Sequence, residues 1–341
     1  MKSTRRTFLQ SGAVTAAAAI SQPHFAALPT PESSGLRKYR FAQIDVFTSR
    51  RLEGNALAVF PDARGLSDDQ MQSIARETNL QETTFAFPRD PATEREKGFK
   101  VRIFIPEQEI PFGGHPTLGT AMVLRNLQAS AKQPAPDKKQ EISLDLKVGK
   151  IPVVFHTDET GQSFGEMHQI DPVFGATHDR ATVAALTGLR LEDIHDGAPI
   201  QTVSTGLPFA IVFVKRLETL QSLRPDFAKI REYFSHESVL TDFYYLTADT
   251  KDPKINYRSR GIFGDGPGGE DAATGSAAGC AISWLVRYGL SPSDETLHIN
   301  QGVEMKRLSH LFTRATKQSG KVSNVRVGGH AVEIAYGEYS L

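Results

Sequence analysis

The run Asp271-Ala272-Ala273-Thr274-Gly275-Ser276-Ala277-Ala278-Gly279-Cys280-Ala281-Ile282-Ser283-Trp284-Leu285-Val286 decides the fold. After Ser276 its apolar residues lie nearly all round a helix instead of along one stripe, and such a helix must be buried on every side. Short β-rich runs occur elsewhere in the chain. Phe41-Ala42-Gln43-Ile44-Asp45-Val46-Phe47 alternates with period two, and Ala56-Leu57-Ala58-Val59-Phe60 follows Gly54-Asn55. A buried helix among many short strands calls for a barrel-like sheet wrapped around it.

The plan occurs twice. Gly206-Leu207-Pro208-Phe209-Ala210-Ile211-Val212-Phe213 parallels Gly54-Asn55-Ala56-Leu57-Ala58-Val59-Phe60. Gly114-His115-Pro116-Thr117-Leu118-Gly119-Thr120-Ala121 can be laid on Glu270-Asp271-Ala272-Ala273-Thr274-Gly275-Ser276-Ala277, so that Gly119 meets Gly275 and His115 meets Asp271. In the first half, Ser67 and Gln70 form a capping box opening a helix through about Glu77, with Met71, Ile74 and Ala75 inward. Strands are expected at 83–87 and 101–105, and a further helix from Pro116-Thr117 carrying Leu118, Ala121, Met122 and Leu124. The expectation is an α+β protein of two pseudo-symmetric domains, 36–160 and 161–341, with the last strand able to return to the first domain. Loop-forming residues cluster at the boundary, between Phe155 and Pro172.

A length of 341 residues also favours two domains. The 39 basic and 39 acidic residues balance, and no basic run interleaved with aromatics occurs, which excludes nucleic acid as a partner. Cys280 is the only cysteine, so an intrachain disulfide, a two-thiol catalytic pair and a cysteine metal cluster are all excluded. Arg5-Arg6 before Phe8-Leu9 and the weakly apolar run Ala13–Ile20 resemble a twin-arginine export signal. That run is too short to span a bilayer. Residues 1–35 are read as signal and linker, with cleavage near Ala26 or Ala27, a mature protein in the periplasm and no membrane span after cleavage.

Four residues could carry chemistry. Glu82, in Asn79-Leu80-Gln81-Glu82-Thr83-Thr84-Phe85, sits where a helix gives way to a strand. Buried there, its carboxyl would gain proton affinity and suit proton transfer at neutral pH; exposed, it is an ordinary strand glutamate. His115 follows Gly113-Gly114 and precedes Pro116, at a helix start, where it either touches a ligand or caps the helix. Asp271 and Ser276 bracket the second helix start; Asp271 is either a plain N-cap or part of an anion site made by two facing helix N-termini. Gly264-Asp265-Gly266-Pro267-Gly268-Gly269 fits a dinucleotide fingerprint literally but contains proline and lacks the βαβ context, so it reads as a loop. Gly275-Ser276-Ala277-Ala278-Gly279 lacks nucleophile-elbow spacing, and neither a histidine pair at metal-ligand spacing nor a phosphate loop is present.

Taken in order, these segments resemble the phenazine-biosynthesis isomerase-like family. The agreement rests on Asp45-Val46-Phe47-Thr48, Gly54-Asn55, Asn79 to Phe85, Val101-Arg102-Ile103-Phe104, Pro111-Phe112-Gly113-Gly114-His115-Pro116-Thr117, Val203 to Pro208, Asp271 to Gly279 and Gln301-Gly302. The resemblance covers about 39 to 337. It implies the diaminopimelate epimerase fold, with mainly antiparallel barrel-like sheets around central helices and the active site between domains. It further implies that Glu82 is the acid/base and that His115 and Asp271 assist it. Ser276, Gly114, Gly275 and Thr274 would contact a small carboxylate substrate, no metal or organic cofactor is expected, and the protein could be a homodimer. Where family members carry Gly-Arg-Pro-Ser, this chain has Lys306-Arg307-Leu308-Ser309, which questions the local turn and an anion contact. The reading is a proton-shifting isomerase; a lyase on the same residues and a non-catalytic periplasmic binding protein are the alternatives.

Overall fold

The computed structural model describes residues 35–131, 140–237, 239–264 and 269–341. The export signal, nearly all of its linker and the glycine-rich loop at 265–268 lie outside the described residues. The first half runs β1 (Lys38–Val46), β2 (Asn55–Phe60), α1 (Asp68–Thr78), β3 (Glu82–Phe87), α2 (Pro91–Lys97), β4 (Phe99–Phe104), β5 (Glu109–Ile110), α3 (Gly114–Ala131), β6 (Gln140–Leu146), β7 (Gly149–Thr157) and β8 (Ser163–His168). The second runs β9 (Val173–His178), α4 (Arg180–Thr187), β10 (Ile200–Ser204), β11 (Pro208–Phe213), α5 (Leu217–Gln221), α6 (Phe227–Tyr233), β12 (Asp242–Thr247) and β13 (Tyr257–Ile262). It continues through β14 (Glu270–Asp271), α7 (Gly275–Arg287), β15 (Leu297–Gln301), β16 (Ser309–Gln318) and β17 (Lys321–Gly329), and β18 (Ala331–Ser340) ends the chain.

The two halves repeat one ladder. In the first, β1 and β2 are antiparallel, β2 and β3 parallel, β3 and β4 antiparallel, β4 and β6 parallel, and β6, β7 and β8 antiparallel. In the second, β10, β11, β12, β13, β15, β16 and β17 follow the same sequence of directions. The equivalence extends to the ends: β18 lies antiparallel on β1, as β9 lies on β10. Pairing of β8 with β17 joins both ladders into one mixed, mainly antiparallel sheet.

Each ladder wraps one helix. α3 packs on β1, β2, β6 and β8, and α7 on β10, β11, β16 and β17. Every α7 residue from Gly275 to Val286 is buried, as its all-round apolar composition requires. Trp284 is fully enclosed and still satisfies its indole N–H, which donates to Pro199 O at 2.9 Å. The capping box of α1 forms in both directions, Gln70 N to Ser67 Oγ and Ser67 N to Gln70 Oε1, a device that stabilises by roughly 1 kcal/mol. Met71, Ile74 and Ala75 are its buried face, packed with Phe60, Phe85 and Phe104.

The register of the repeat at the helix starts needs correction. β5 and β14 pair equivalently, Phe104 with Glu109 and Ile262 with Glu270, and three residues separate each from the helix that follows. Gly114 therefore corresponds to Gly275 and His115 to Ser276, five residues from the match that sets His115 on Asp271. Both segments are rich in small residues, so composition alone does not choose between the registers. Strand pairing breaks the tie. The match of Gly206–Phe213 to Gly54–Phe60 holds, because Leu57 lies opposite Glu82 as Phe209 lies opposite Asp242.

Candidate active site

Asn79 ends α1 in the left-handed conformation (φ 50°) and turns the chain into β3, whose first residue is Glu82. Thr84, two residues on and on the same strand face, is buried and lies 2.8 Å from Thr120 Oγ1 of α3. That face of β3 looks at the central helix, so the choice between buried and exposed Glu82 falls on burial: its side chain is 14% exposed. His115 is the second residue of α3 and is buried. Its Nε2 stands 3.1 Å from Glu82 Oε2, within ion-pair distance, yet the two are not aligned for a hydrogen bond, and both atoms are buried without a partner.

Electrostatics argue against charging this pair. Burial, and secondarily the negative charge of Asp271, pushes the Glu82 carboxyl well above the usual carboxylate range. Burial holds His115 down to about 3. Burial thus favours the protonated form of the Glu82 carboxyl, and the imidazole facing it is neutral at neutral pH. A buried polar atom without a partner costs about 1–3 kcal/mol, and here two such atoms stand 3.1 Å apart.

Asp271 ends β14 and is buried. It is not the N-cap of α7, which is Thr274, and Thr274 makes no side-chain cap bond. Instead Thr274 Oγ1 donates to Asp271 Oδ2 at 2.7 Å, and Asn55 Nδ2 donates to Asp271 Oδ1 at 2.6 Å. Burial raises the Asp271 carboxyl, and these two donors oppose the rise. The turn carrying Asp271 is fastened by Gln301, which is wholly enclosed. Gln301 Nε2 donates to Asp271 O (2.9 Å) and Thr274 Oγ1 (2.8 Å), while its Oε1 accepts from Thr274 N (3.1 Å) and Tyr244 Oη (2.8 Å).

The N-termini of α3 and α7 meet. A Cβ on Gly114 would stand 2.5 Å from Gly275 Cα and closer still to Gly275 C and Ser276 N, so glycine is required by space. Gly275 in turn presses on Phe47. Ser276, second in α7 as His115 is second in α3, is buried beside this junction. Two helix starts with free N–H groups and like dipoles so close together attract an anion. Glu82, His115, Asp271, Thr274, Gly114, Gly275 and Ser276 are thus brought into one contiguous set, linked through Asn55, whose Nδ2 also lies 3.0 Å from His115 Nδ1.

Asn55, Gln301 and Gln81 take part without having been read as site residues. Gln81, beside Glu82, donates to Glu270 O at 3.1 Å and ties the two halves together next to the acid. Asn55 and Gln301 stand in segments that carry the family resemblance, but sequence shows no partner for either. The Lys306–Ser309 departure also has a structure. Lys306 takes φ 58°, a left-handed position that the family's glycine would suit. Arg307 bonds Gly54 O, Glu53 O and Asp45 Oδ1 (2.8, 3.0 and 2.7 Å), bracing the turn before Asn55. Cys280 lies in the body of α7, its thiol pushed up to about 11 by burial, and is no nucleophile at neutral pH. Among the described residues no helix is long and apolar enough to cross a membrane.

Residues 44–337 match the family model described as phenazine biosynthesis-like protein. The trans-2,3-dihydro-3-hydroxyanthranilate isomerase of Pseudomonas aeruginosa is 32% identical over 305 residues, covering 89% of this chain and 100% of its own. An uncharacterized isomerase of Mesorhizobium japonicum is 33% identical over 301 residues, 86% of this chain and 96% of its own. A solved structure described as a predicted epimerase from Pseudomonas aeruginosa superposes with a TM-score of 0.73 at 34% identity, covering 88% of this chain and 99% of that one.

Proposed function

The chain belongs to the phenazine biosynthesis-like family, and on that premise we propose that it is a cofactor-independent isomerase. It moves a proton between two carbons of a small carboxylated substrate, with Glu82 as both base and acid. The observation that carries this reading is the pair Glu82 Oε2 and His115 Nε2, 3.1 Å apart, buried and unpartnered.

The chemistry follows from the raised proton affinity of Glu82. As carboxylate it is a stronger base than an exposed glutamate, and as acid it can return what it took. Glu82 removes a proton from one carbon, the electron pair shifts through the substrate's unsaturation, and Glu82-COOH delivers the proton to the carbon where the pair arrives. Nothing else enters or leaves. The abutting helix starts, where glycine lets the backbone approach closely, supply N–H groups for the substrate carboxylate. Neutral His115 orients a substrate heteroatom, and Asp271 faces it from the other half.

The test offers a panel of small hydroxylated, aminated and unsaturated carboxylates, trans-2,3-dihydro-3-hydroxyanthranilate among them, to the wild type and to Glu82→Gln. The wild type should convert one member to a product of equal mass; Glu82→Gln should bind it and leave it unchanged. Turnover surviving in Glu82→Gln refutes the assignment, and a product lighter by one water refutes isomerisation. We carry two further proposals from sequence: export by the twin-arginine route, read by fractionating cells expressing wild type and an Arg5/Arg6→Lys variant, and a homodimer, read by light scattering.

A further inference from the structure

We infer that Asn55 is a positioning residue that switches the tautomer of His115 as Glu82 gains and loses its proton. The inference rests on the acid/base role proposed for Glu82. Asn55 comes from β2 of the first half and is 2% exposed. Its Nδ2 is surrounded by Asp271 Oδ1 at 2.6 Å, His115 Nδ1 at 3.0 Å and Ala273 O at 3.1 Å. A backbone carbonyl only accepts, so the amide nitrogen, and not its oxygen, faces this group. The amide has two hydrogens for three sites, and the short bond to Asp271 takes one of them. The second goes either to Ala273 O or to His115 Nδ1.

Each choice fixes the ring. With the hydrogen on Ala273 O, His115 Nδ1 keeps its own proton. Nε2 is then a lone pair facing Glu82 Oε2, the arrangement that suits a protonated Glu82. With the hydrogen on His115 Nδ1, the ring proton sits on Nε2, 3.1 Å from Glu82 Oε2, where a slight turn of either side chain completes the hydrogen bond that suits a carboxylate. A small shift of one amide hydrogen therefore lets the imidazole serve as acceptor or donor without ever becoming a cation, the form that burial forbids it. The charged or titratable groups that face this relay are Glu82 and Asp271, and Thr274 Oγ1 occupies the second oxygen of Asp271.

The experiment uses the whole chain labelled with 15N-histidine, with the His115 signals identified by their loss in His115→Gln. Long-range 1H–15N spectra are recorded while pH is raised through the titration of Glu82, which a parallel Glu82→Gln sample removes. In the wild type the pyrrole-like and pyridine-like shifts of the two His115 nitrogens should exchange places; in Asn55→Ala they should stay in the Nδ1–H pattern throughout. The same exchange in Asn55→Ala overturns the inference. So does a wild type that keeps one tautomer across the titration, a result that needs no variant to fold. No substrate is involved, so a static tautomer combined with loss of turnover in Glu82→Gln refutes the switch alone, whereas turnover in Glu82→Gln refutes the proposed function itself.

Discussion

Replacing Gly114 by alanine tests the meeting of the two helix starts. The added Cβ would lie 2.5 Å from Gly275 Cα, whereas ordinary carbon contact needs roughly 3.5 Å. The obstacle is backbone on the facing helix, so α3 and α7 must part by about 1 Å. His115 is the next residue on α3 and Ser276 the next on α7, so the displacement passes directly into the site. Overpacking of this kind costs about 1–3 kcal/mol of stability, and a misplacement of about 1 Å costs on the order of 100-fold in rate. Urea denaturation and turnover of whichever panel member the wild type converts measure both. Gly175→Ala is the control, since its Cβ would meet Thr202 at an ordinary 3.5 Å. A Gly114→Ala enzyme with wild-type rate and stability would show that the helix starts do not hold the site.

Other expectations follow from single residues. The rate kcat/KM should rise with pH along a limb set by Glu82, displaced to the alkaline side of the usual carboxylate range because burial favours its protonated form, while His115, held at about 3, adds no inflection near neutrality; a limb at the ordinary carboxylate value contradicts this. Asp242, the counterpart of Glu82 in the second half, is raised by burial from 3.8 to about 7. A raised pKa leaves stability whole below the unfolded value and lost as pH climbs to the folded one, so Asp242→Asn should gain up to about 4 kcal/mol at pH 8 and nothing near pH 4, read by urea midpoints at both. Lys306→Gly relieves a left-handed residue (φ 58°) at the cost of unfolded-chain entropy, and should stabilise by about 0.5 kcal/mol in the same assay; a loss of more than about 1 kcal/mol would mean that Lys306 makes contacts that matter.

Local rules were readable where the physics is local. The Ser67–Gln70 capping box and the inward face of α1 depend on residues three or four apart, and the structure has them as the pattern requires. The all-round apolar character of α7 forced its burial in the same way. What could not be read depends on partners far apart in the chain. Asp271 looks like a helix cap because it precedes a helix by a few residues; only its pairing with Gly261 shows it to be strand, with its carboxyl turned to Asn55. Asn55 looks like a turn residue until its neighbours at 115, 271 and 273 are in place. The helix-start register slipped by five residues because both starts are rich in small residues, and only the pairing of β5 and β14 fixes the level. Burial of Glu82 was undecidable because both faces of β3 are covered, one by α3 and the other by the Phe60–Phe85–Phe104 cluster.

The most direct test of the central claim follows the converted substrate by 1H NMR in wild type and Glu82→Gln at matched, saturating concentration. The account predicts product of equal mass from the wild type and none from Glu82→Gln, with the variant binding substrate at nearly unchanged affinity. Conversion by Glu82→Gln within about ten-fold of the wild-type rate, a loss of under about 1.4 kcal/mol in transition-state stabilisation, would contradict it.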